Sequence, residues 1–245
     1  ALEMGGKNAA IISRHAELKT AVSESVLGSF SMAGQRCNAT SRLIMEKKIA
    51  KPFLKSFMAS VRDLKVGYGL EEGNFMGPLV SQGALEKYLS RVALAPKEGF
   101  ELLQKASVLQ KARRGYYVQP SVCLKEIRKG ETPGGIYSEE EIFGPNAAIY
   151  LVENLKEAVR IHNMSPYGLV ASFFSRKKEE YAEVVGRLEV GLLNWNRATL
   201  YSSPYLPFGG VKQSGNHHPV GAFVPYLCTV PVALLEARPP RKGKS

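Results

Sequence analysis

Apolar residues follow two alternating patterns along most of the chain. Short, continuous apolar runs of the kind found in buried strands occur at 9–12, 41–46, 116–123, 147–152, 168–174 and 191–195. Between them, apolar residues recur every three or four positions, as on one face of a helix, at 18–30, 49–64, 81–95, 155–163 and 177–187. Strands that alternate with helices in this way predict an α/β layered domain with a mostly parallel sheet flanked by helices.

The first predicted helix ends a few residues before a glycine and a cysteine. Apolar residues recur at every fourth position from Leu18 to Phe30, and Ser13 is placed before them as a candidate N-cap. The helix therefore leads the chain directly to Gly34 and Cys37.

Composition narrows the class of protein. The chain has 245 residues, of which 44% are hydrophobic and 22% charged, values typical of a globular protein. No run reaches the roughly 18 apolar residues of a membrane helix, and no signal-peptide pattern opens the chain. Three widely separated cysteines argue against a disulfide framework and favour a reducing, cytoplasmic setting. Cys123 and Cys228 lie in apolar stretches and are interpreted as inert thiols in strands.

The net charge of +11 raises the question of an acidic partner. Lysine and arginine cluster at 111–114, 176–178 and 238–245, without interleaved aromatic residues or a nucleic-acid-binding motif. The sequence therefore predicts no nucleic-acid partner, and the charge is interpreted mainly as solvated surface. A more acidic protein partner is the alternative.

Two segments place a reactive side chain beside small or glycine-rich backbone. Glu3 lies in Leu-Glu-Met-Gly-Gly-Lys-Asn at 2–8, and Cys37 ends Ala-Gly-Gln-Arg-Cys at 33–37. A thiolate adds readily to a carbonyl carbon when a helix terminus or a cation lowers its pKa, and a carboxylate can deprotonate a hydrolytic water. Taken alone, the residues also fit an inert core thiol and a surface acid.

The pair His217–His218 lacks the accompanying ligands of a zinc site, so no metal is predicted.

Two later segments complete a recognisable set. They are Glu-Glu-Ile-Phe-Gly-Pro at 140–145 and Pro-Phe-Gly-Gly-Val-Lys-Gln-Ser-Gly at 207–215. In this order the four motifs resemble the aldehyde dehydrogenase superfamily across most of the chain. The resemblance implies oxidation of an aldehyde with NAD, Cys37 as the nucleophile that forms a thiohemiacetal and then a thioester, and Glu3 as the base for hydrolysis. It also implies that Cys37 contributes its own N–H to the oxyanion.

The same resemblance suggests further roles. Glu141 and Phe143 match positions that contact the nicotinamide ribose and ring of NAD, with a simple turn and a core phenylalanine as the alternative. Asn194, Gly209 and Gly210 are interpreted as lining or shaping the substrate pocket, although the two glycines also fit an ordinary tight turn. A CoA-acylating enzyme is a lesser alternative, because a thiol would then replace water and Glu3 would not be needed.

The cofactor fold of that family is largely missing from the sequence. No Gly-x-Gly-x-x-Gly follows a predicted strand, and only two residues precede Glu3. The chain is therefore expected to be the C-terminal, catalytic half, inactive without an N-terminal cofactor-binding half. We divide it into a residual end of the cofactor domain (1–5), a catalytic domain (6–216), an oligomerisation segment (217–237) and a basic tail (238–245). A catalytically silent assembly or interaction module is the alternative function.

The end of the chain suggests a subgroup. Ser-Gly-Asn-His-His-Pro at 214–219, with the apolar stretch up to 236, resembles the ending of N-succinylglutamate 5-semialdehyde dehydrogenases, which use NAD in arginine degradation. Residues 222–235 are expected to form a hydrophobic strand that pairs with a partner subunit in a homo-oligomer, because an uncovered apolar edge strand is a liability. Packing inside one subunit is the alternative.

Overall fold

The computed structural model describes residues 1–111 and 113–237. The strands that build or flank the main sheet are β1 Leu2–Glu3, β2 Asn8–Ile12, β3 Thr40–Glu46, β4 Glu101–Gln104, β5 Ser107–Val108, β6 Val118–Gln119, β7 Ser121–Glu126, β8 Asn146–Val152, β9 Tyr167–Gly168, β10 Val170–Phe174 and β11 Leu192–Trp195. Four short strands follow: β12 Pro207–Phe208, β13 Val211–Lys212, β14 Gly215–Asn216 and β15 Val220–Gly221. The helices are α1 Leu18–Phe30, α2 Lys47–Arg62, α3 Gln82–Val92, α4 Ile136–Glu139, α5 Leu155–Asn163, α6 Lys178–Val185 and α7 Val224–Leu227.

A seven-stranded sheet in the order β11-β10-β2-β3-β8-β7-β4 forms the centre of the fold. All neighbouring strands run parallel except the edge pair β4–β7, which is antiparallel. The predicted α/β fold with a mostly parallel sheet is confirmed. Within the described residues, none of the helices combines the length and hydrophobicity needed to cross a lipid bilayer.

Burial explains why the central strands read as continuous apolar runs. Residues 8–12 of β2 are all buried, as expected for a parallel strand covered on both faces. Helices α1 and α2 pack on the sheet through an aromatic cluster in which the rings of Phe53 and Phe57 lie 5.5 Å apart and those of Phe30 and Phe57 6.0 Å apart.

The predicted cap of the first helix is wrong. Helix α1 begins after Glu17, whose carboxylate accepts hydrogen bonds from the N–H groups of Lys19 and Thr20. Ser13 lies at the end of β2 instead, where its hydroxyl donates to Glu180 at 2.6 Å. The predicted strand at 116–123 is also interrupted: β6 ends at 119 and β7 begins at 121, on either side of a proline that lacks an N–H.

The apolar segment at 222–235 does not form the predicted strand. It contains the single helical turn α7, which has a proline at its second position. Residues 228–237 form no regular secondary structure. Cys228 ends this turn and is exposed, so its interpretation as a strand residue is wrong, whereas Cys123 is buried in β7 as predicted. The basic tail at 238–245 lies outside the described residues.

Candidate active site

The amino ends of three adjacent strands carry the motif residues. Strands β2, β3 and β8 lie side by side and run parallel, so the segments that precede them meet at one edge of the sheet. Glu3 precedes β2, Cys37 precedes β3, and Glu141 and Phe143 precede β8. Segments separated by more than a hundred residues in sequence are thereby brought together.

A cleft of about 870 Å³ opens at this edge. Glu3, Cys37, Glu141 and Phe143 all line it. The remaining lining residues are Met4, Gly5, Gln35, Arg36, Asn38, Ser202, Ser203, Pro204, Phe208, Val220 and Gly221. The four residues predicted to be catalytic or to contact the cofactor therefore line one cavity, of the size that small-molecule ligands occupy.

Left-handed backbone shapes the loop before Cys37. Met32, Ala33 and Gly34 have φ values of 51°, 56° and 65°, and only the glycine adopts this region without steric cost. A Cβ at Gly34 would lie 2.4 Å from the carbonyl oxygen of Gly144, so this glycine allows the Cys37 loop to touch the loop of Phe143, which is itself left-handed.

Two amide side chains hold the same loop in place. The Gln35 amide accepts from the N–H of Val80 at 2.9 Å. Asn8 donates from Nδ2 to the carbonyl oxygens of Cys37 and Ala39, at 2.8 and 2.9 Å. The sequence analysis did not predict a role for Asn8, although the residue is the last one of the Glu3 motif and could have been considered on that ground.

The surroundings of Cys37 favour the protonated thiol. Burial raises the pKa of Cys37, and the negative charge of Glu3 raises it further, with a smaller contribution from Glu141. The N–H of Asn38 and the charge of Arg36 oppose this shift without overcoming it. The lowered pKa expected for a reactive thiol is therefore not produced by the described residues.

Glu3 is held by strand pairing at the rim of the cleft. Its strand β1 pairs antiparallel with β14, with Glu3 opposite Gly215. The N–H of Leu2 donates to Oδ1 of Asn216 at 2.9 Å and fastens the start of the strand. The Glu3 residue remains exposed, as required of a base that reaches solvent water.

Glu141 packs directly on the glycines of the Glu3 motif. Its carboxylate accepts from the N–H of Gly6 at 3.0 Å, and a Cβ at Gly5 would lie 2.2 Å from one of its oxygens. Burial raises the pKa of Glu141, against the effect of that hydrogen bond. Lys7, which is buried, donates to the carbonyl oxygens of Tyr137 and Glu140 at 2.8 and 2.7 Å and so fixes the segment before Glu141.

The three predicted pocket residues lie outside the lining of the cleft. Asn194 donates to the carbonyl oxygens of Ala198 and Tyr201 at 3.0 and 2.9 Å and thereby shapes the loop that leads to Ser202 and Ser203. Gly209 and Gly210 are buried in the short connection between β12 and β13, next to Phe208, which lines the cleft itself.

Close backbone packing explains both glycines. A Cβ at Gly209 would lie 2.4 Å from the Cα of His218, and one at Gly210 would lie 2.3 Å from the Cβ of Ser214. The cleft walls formed by 202–204 and 220–221 were missed from the sequence, since no local motif marks them.

Comparison with known proteins identifies similar sequences and structures. The family model described as "Aldehyde dehydrogenase family" matches residues 1–227. Alpha-ketoglutaric semialdehyde dehydrogenase from Bacillus subtilis is 34% identical over 88% of this chain and 44% of the relative. N-succinylglutamate 5-semialdehyde dehydrogenase from Legionella pneumophila is 32% identical over 96% of this chain and 46% of the relative.

Solved structures agree with these relatives. An NAD-bound 1-pyrroline-5-carboxylate dehydrogenase from Thermus superposes with a TM-score of 0.82 at 31% identity, over 92% of this chain and 42% of the other. Betaine aldehyde dehydrogenase from Staphylococcus aureus, in complex with NAD+, gives 0.83 at 30% identity, over 91% and 43%. The chain spans slightly less than half the length of the curated relatives it matches.

Proposed function

Since the chain belongs to the aldehyde dehydrogenase family, whose members are oxidoreductases that oxidise aldehydes, we propose that it supplies the catalytic part of an NAD-dependent aldehyde dehydrogenase. The observation that carries the proposal is the cleft at the amino edge of the sheet, onto which Cys37, Glu3 and Glu141 open together. A nucleophile, a base and a candidate cofactor contact then share one cavity.

Cys37 performs the first step. Its sulfur forms a bond to the aldehyde carbon, the carbonyl π electrons move to oxygen, and the thiol proton passes to water in the cleft. The N–H of Cys37 is the proposed donor to the resulting oxyanion. Because burial and Glu3 raise the pKa of Cys37, addition in this chain is expected to accelerate as the pH rises.

The residues at the cofactor end fit a nicotinamide nucleoside. The Glu141 carboxylate has one oxygen held by Gly6 and another that can accept from a ribose hydroxyl. The Phe143 side chain is 39% exposed and offers an aromatic face at the cleft. When bound, NAD supplies the hydride acceptor for the oxidation. We infer that an N-terminal cofactor-binding half completes its site, since the chain spans less than half of its relatives.

Glu3 completes the cycle by hydrolysis. Its carboxylate removes a proton from water, and the hydroxide oxygen attacks the thioester carbon. The carbon–sulfur bond then breaks, the carboxylic acid leaves, and the proton held by Glu3 returns to the Cys37 sulfur. The exposed position of Glu3 at the cleft rim suits this role, because the water that it activates comes from solvent.

We propose N-succinylglutamate 5-semialdehyde, or a similar aldehyde that carries a carboxylate, as the substrate. Two relatives are named for semialdehydes of acids. The cleft adds Arg36, Ser202 and Ser203, which can donate hydrogen bonds to a distal carboxylate.

We also propose that the exposed apolar side chains between 223 and 235 pack against a second copy of the chain.

The experiment uses the chain joined to a cofactor-binding half, with NADH absorbance followed after rapid mixing with the semialdehyde. Glu3→Gln should give a single burst of NADH and then very slow turnover, because thioester accumulates on Cys37. Cys37→Ala should abolish the burst, and Cys228→Ala, at a residue that does not line the cleft, should behave as wild type. Wild-type steady-state turnover in Glu3→Gln would remove Glu3 from the mechanism.

A further inference from the structure

Asn8 is the first residue of β2. Its side-chain amide donates two hydrogen bonds and accepts one, so only one lone pair of Oδ1 is unused. Its Nδ2 donates to the carbonyl oxygens of Cys37 and Ala39, and its Oδ1 accepts from the N–H of Val170 at 3.1 Å. The residue is 3% exposed, so these contacts are shielded from competing water. One side chain thereby ties the Cys37 loop to two strands of the sheet.

The contact with the Cys37 carbonyl fixes more than one atom. In a trans peptide the C=O of one residue and the N–H of the next are coplanar and point in opposite directions. When Asn8 holds the carbonyl of Cys37, it therefore also sets the direction of the N–H of Asn38. The second contact, to the Ala39 carbonyl, prevents the intervening backbone from rotating.

A glycine makes this arrangement possible. A Cβ at Gly6 would lie 2.7 Å from Oδ1 of Asn8 and 3.0 Å from the carbonyl oxygen of Cys37. Only a residue without a side chain lets the Glu3 motif pass this close to the nucleophile loop while Asn8 reaches across.

We propose that Asn8 is a positioning residue for the nucleophile, because it holds the carbonyls of Cys37 and Ala39 and so fixes the orientation of the peptide N–H that follows Cys37. The proposal rests on the proposed function of Cys37. Asn8 itself touches neither substrate nor cofactor in this scheme, and it acts through the peptide between Cys37 and Asn38.

The N–H of Asn38 affects the pKa of Cys37, because most of the other surroundings disfavour the thiolate. Burial, Glu3 and Glu141 all raise the pKa of Cys37, and the N–H of Asn38 is the largest of the opposing influences, ahead of Arg36. Loss of the anchor lets this N–H turn away and leaves the thiolate with less stabilisation. The consequence is a less reactive thiol at neutral pH.

The test measures iodoacetamide alkylation of Cys37 against pH, by peptide mapping, on the chain itself. Asn8→Leu keeps the side-chain size but removes all three contacts, and Asn8→Ser retains one hydroxyl donor. In Asn8→Leu the apparent pKa of Cys37 should rise by about one unit, which slows alkylation at neutral pH by about three- to tenfold. Asn8→Ser should lie between Asn8→Leu and wild type.

The control is Asn154→Ala, which removes the N-cap of α5 but leaves the cleft untouched. It should lower stability without moving the alkylation profile, whereas a merely structural role for Asn8 would give the same unshifted profile in Asn8→Leu and overturn the proposal. If neither Asn8 variant folds, NMR of the wild-type chain decides: the Asn38 amide should titrate with Cys37, and an Asn38 amide that ignores the thiol refutes the proposal. The burst experiment with Cys37→Ala tests the proposed function separately.

Discussion

The two edges of the parallel sheet use polar side chains in opposite ways. At the carboxyl ends of β2 and β10, Glu180 accepts hydrogen bonds from Ser13 and Ser175 and contacts Nδ1 of His15, each at 2.6 Å. Burial pushes the pKa of Glu180 upward, but these hydrogen bonds outweigh it and hold the pKa below its usual range. Polar groups at this edge stabilise one another.

At the amino ends several polar groups lack such mutual stabilisation. The pKa values of both Cys37 and Glu141 are raised, in each case chiefly by burial. Oδ1 of Asn38 and Nδ2 of Asn146 are buried without a hydrogen-bond partner among the described residues. Open parallel sheets more often bind ligands at their carboxyl ends, so the candidate site lies at the opposite edge from the common arrangement.

Left-handed residues show the same contrast. Asn196, beyond the carboxyl end of β11, has φ of 54°, and its side chain bonds to both the N–H and the carbonyl of Ser175 at 3.0 Å. Met32 and Ala33 adopt the same region at the site edge without any such side-chain bond. Side-chain hydrogen bonds compensate the strain of Asn196, whereas Met32 and Ala33 keep theirs at the edge of the candidate site; backbone strain commonly accumulates at functional sites.

The largest expected effect comes from the contact between the two site loops. Gly34→Ala should destabilise the chain by about 2–4 kcal/mol, because the new Cβ meets left-handed strain and the Gly144 carbonyl. Gly186→Ala, after α6, is the matched control: nothing lies within 4 Å of its Cβ position, and stability should stay nearly constant. Equal urea midpoints for the two variants would contradict the close packing of the site loops.

A smaller effect is expected at the opposite edge. Glu180→Gln should cost about 1–2 kcal/mol at pH 7, because three hydrogen-bonding partners lose a carboxylate. The pKa of Glu180 is lower in the folded chain, so its stabilisation is present above the unfolded value of 4.5 and is lost as the pH falls through the folded value. The difference from wild type should therefore shrink in acid, by urea unfolding.

The control for this prediction is Glu183→Gln, on the same helix. Glu183 forms an exposed pair with Arg187 and should change stability by no more than about 0.5 kcal/mol. An undiminished cost of Glu180→Gln at pH 3 would show that packing, and not charge, is what Glu180 contributes.

The smallest effects should differ in sign. Met32→Gly should be neutral or stabilise the chain by up to about 1 kcal/mol, since glycine relieves left-handed strain. Asn196→Gly relieves the same strain but loses two hydrogen bonds to Ser175, and should destabilise by about 1 kcal/mol. Thermal unfolding of both variants measures the difference, and a shared sign would mean that the two edges do not differ in how they hold strain.

Periodicity predicted most of the sheet and its helices, because buried parallel strands and amphipathic helices leave strong local patterns. Strand β4 was missed since it is an edge strand with two exposed leading residues and no continuous apolar run. The segment at 222–235 was misread because apolar composition alone cannot distinguish a strand from an uncovered surface, and prolines interrupt its backbone.

The motif residues of the site were also found from the sequence, whereas their electrostatics were not. The raised pKa of Cys37 depends on the distance to Glu3 and on burial, which only the fold sets. The anchoring role of Asn8 likewise needs the carbonyl of Cys37 to lie within reach across the strand ends. Asn194 was expected in the pocket, but its amide shapes the neighbouring loop.

The pairing of β1 with β14 has a consequence for how the molecule is made. The contact from Leu2 to Asn216 joins residues 214 positions apart, so the strand of Glu3 has no partner until nearly all of that intervening chain has been synthesised. Contacts of such long range form late and slowly during folding. The contact from Asn8 to the Cys37 loop spans only 29 residues and can form earlier in synthesis, whereas the contact from Val170 to Asn8 waits for β10. The nucleophile loop can therefore be anchored before the strand of Glu3 is paired, because that pairing requires residues 215 and 216.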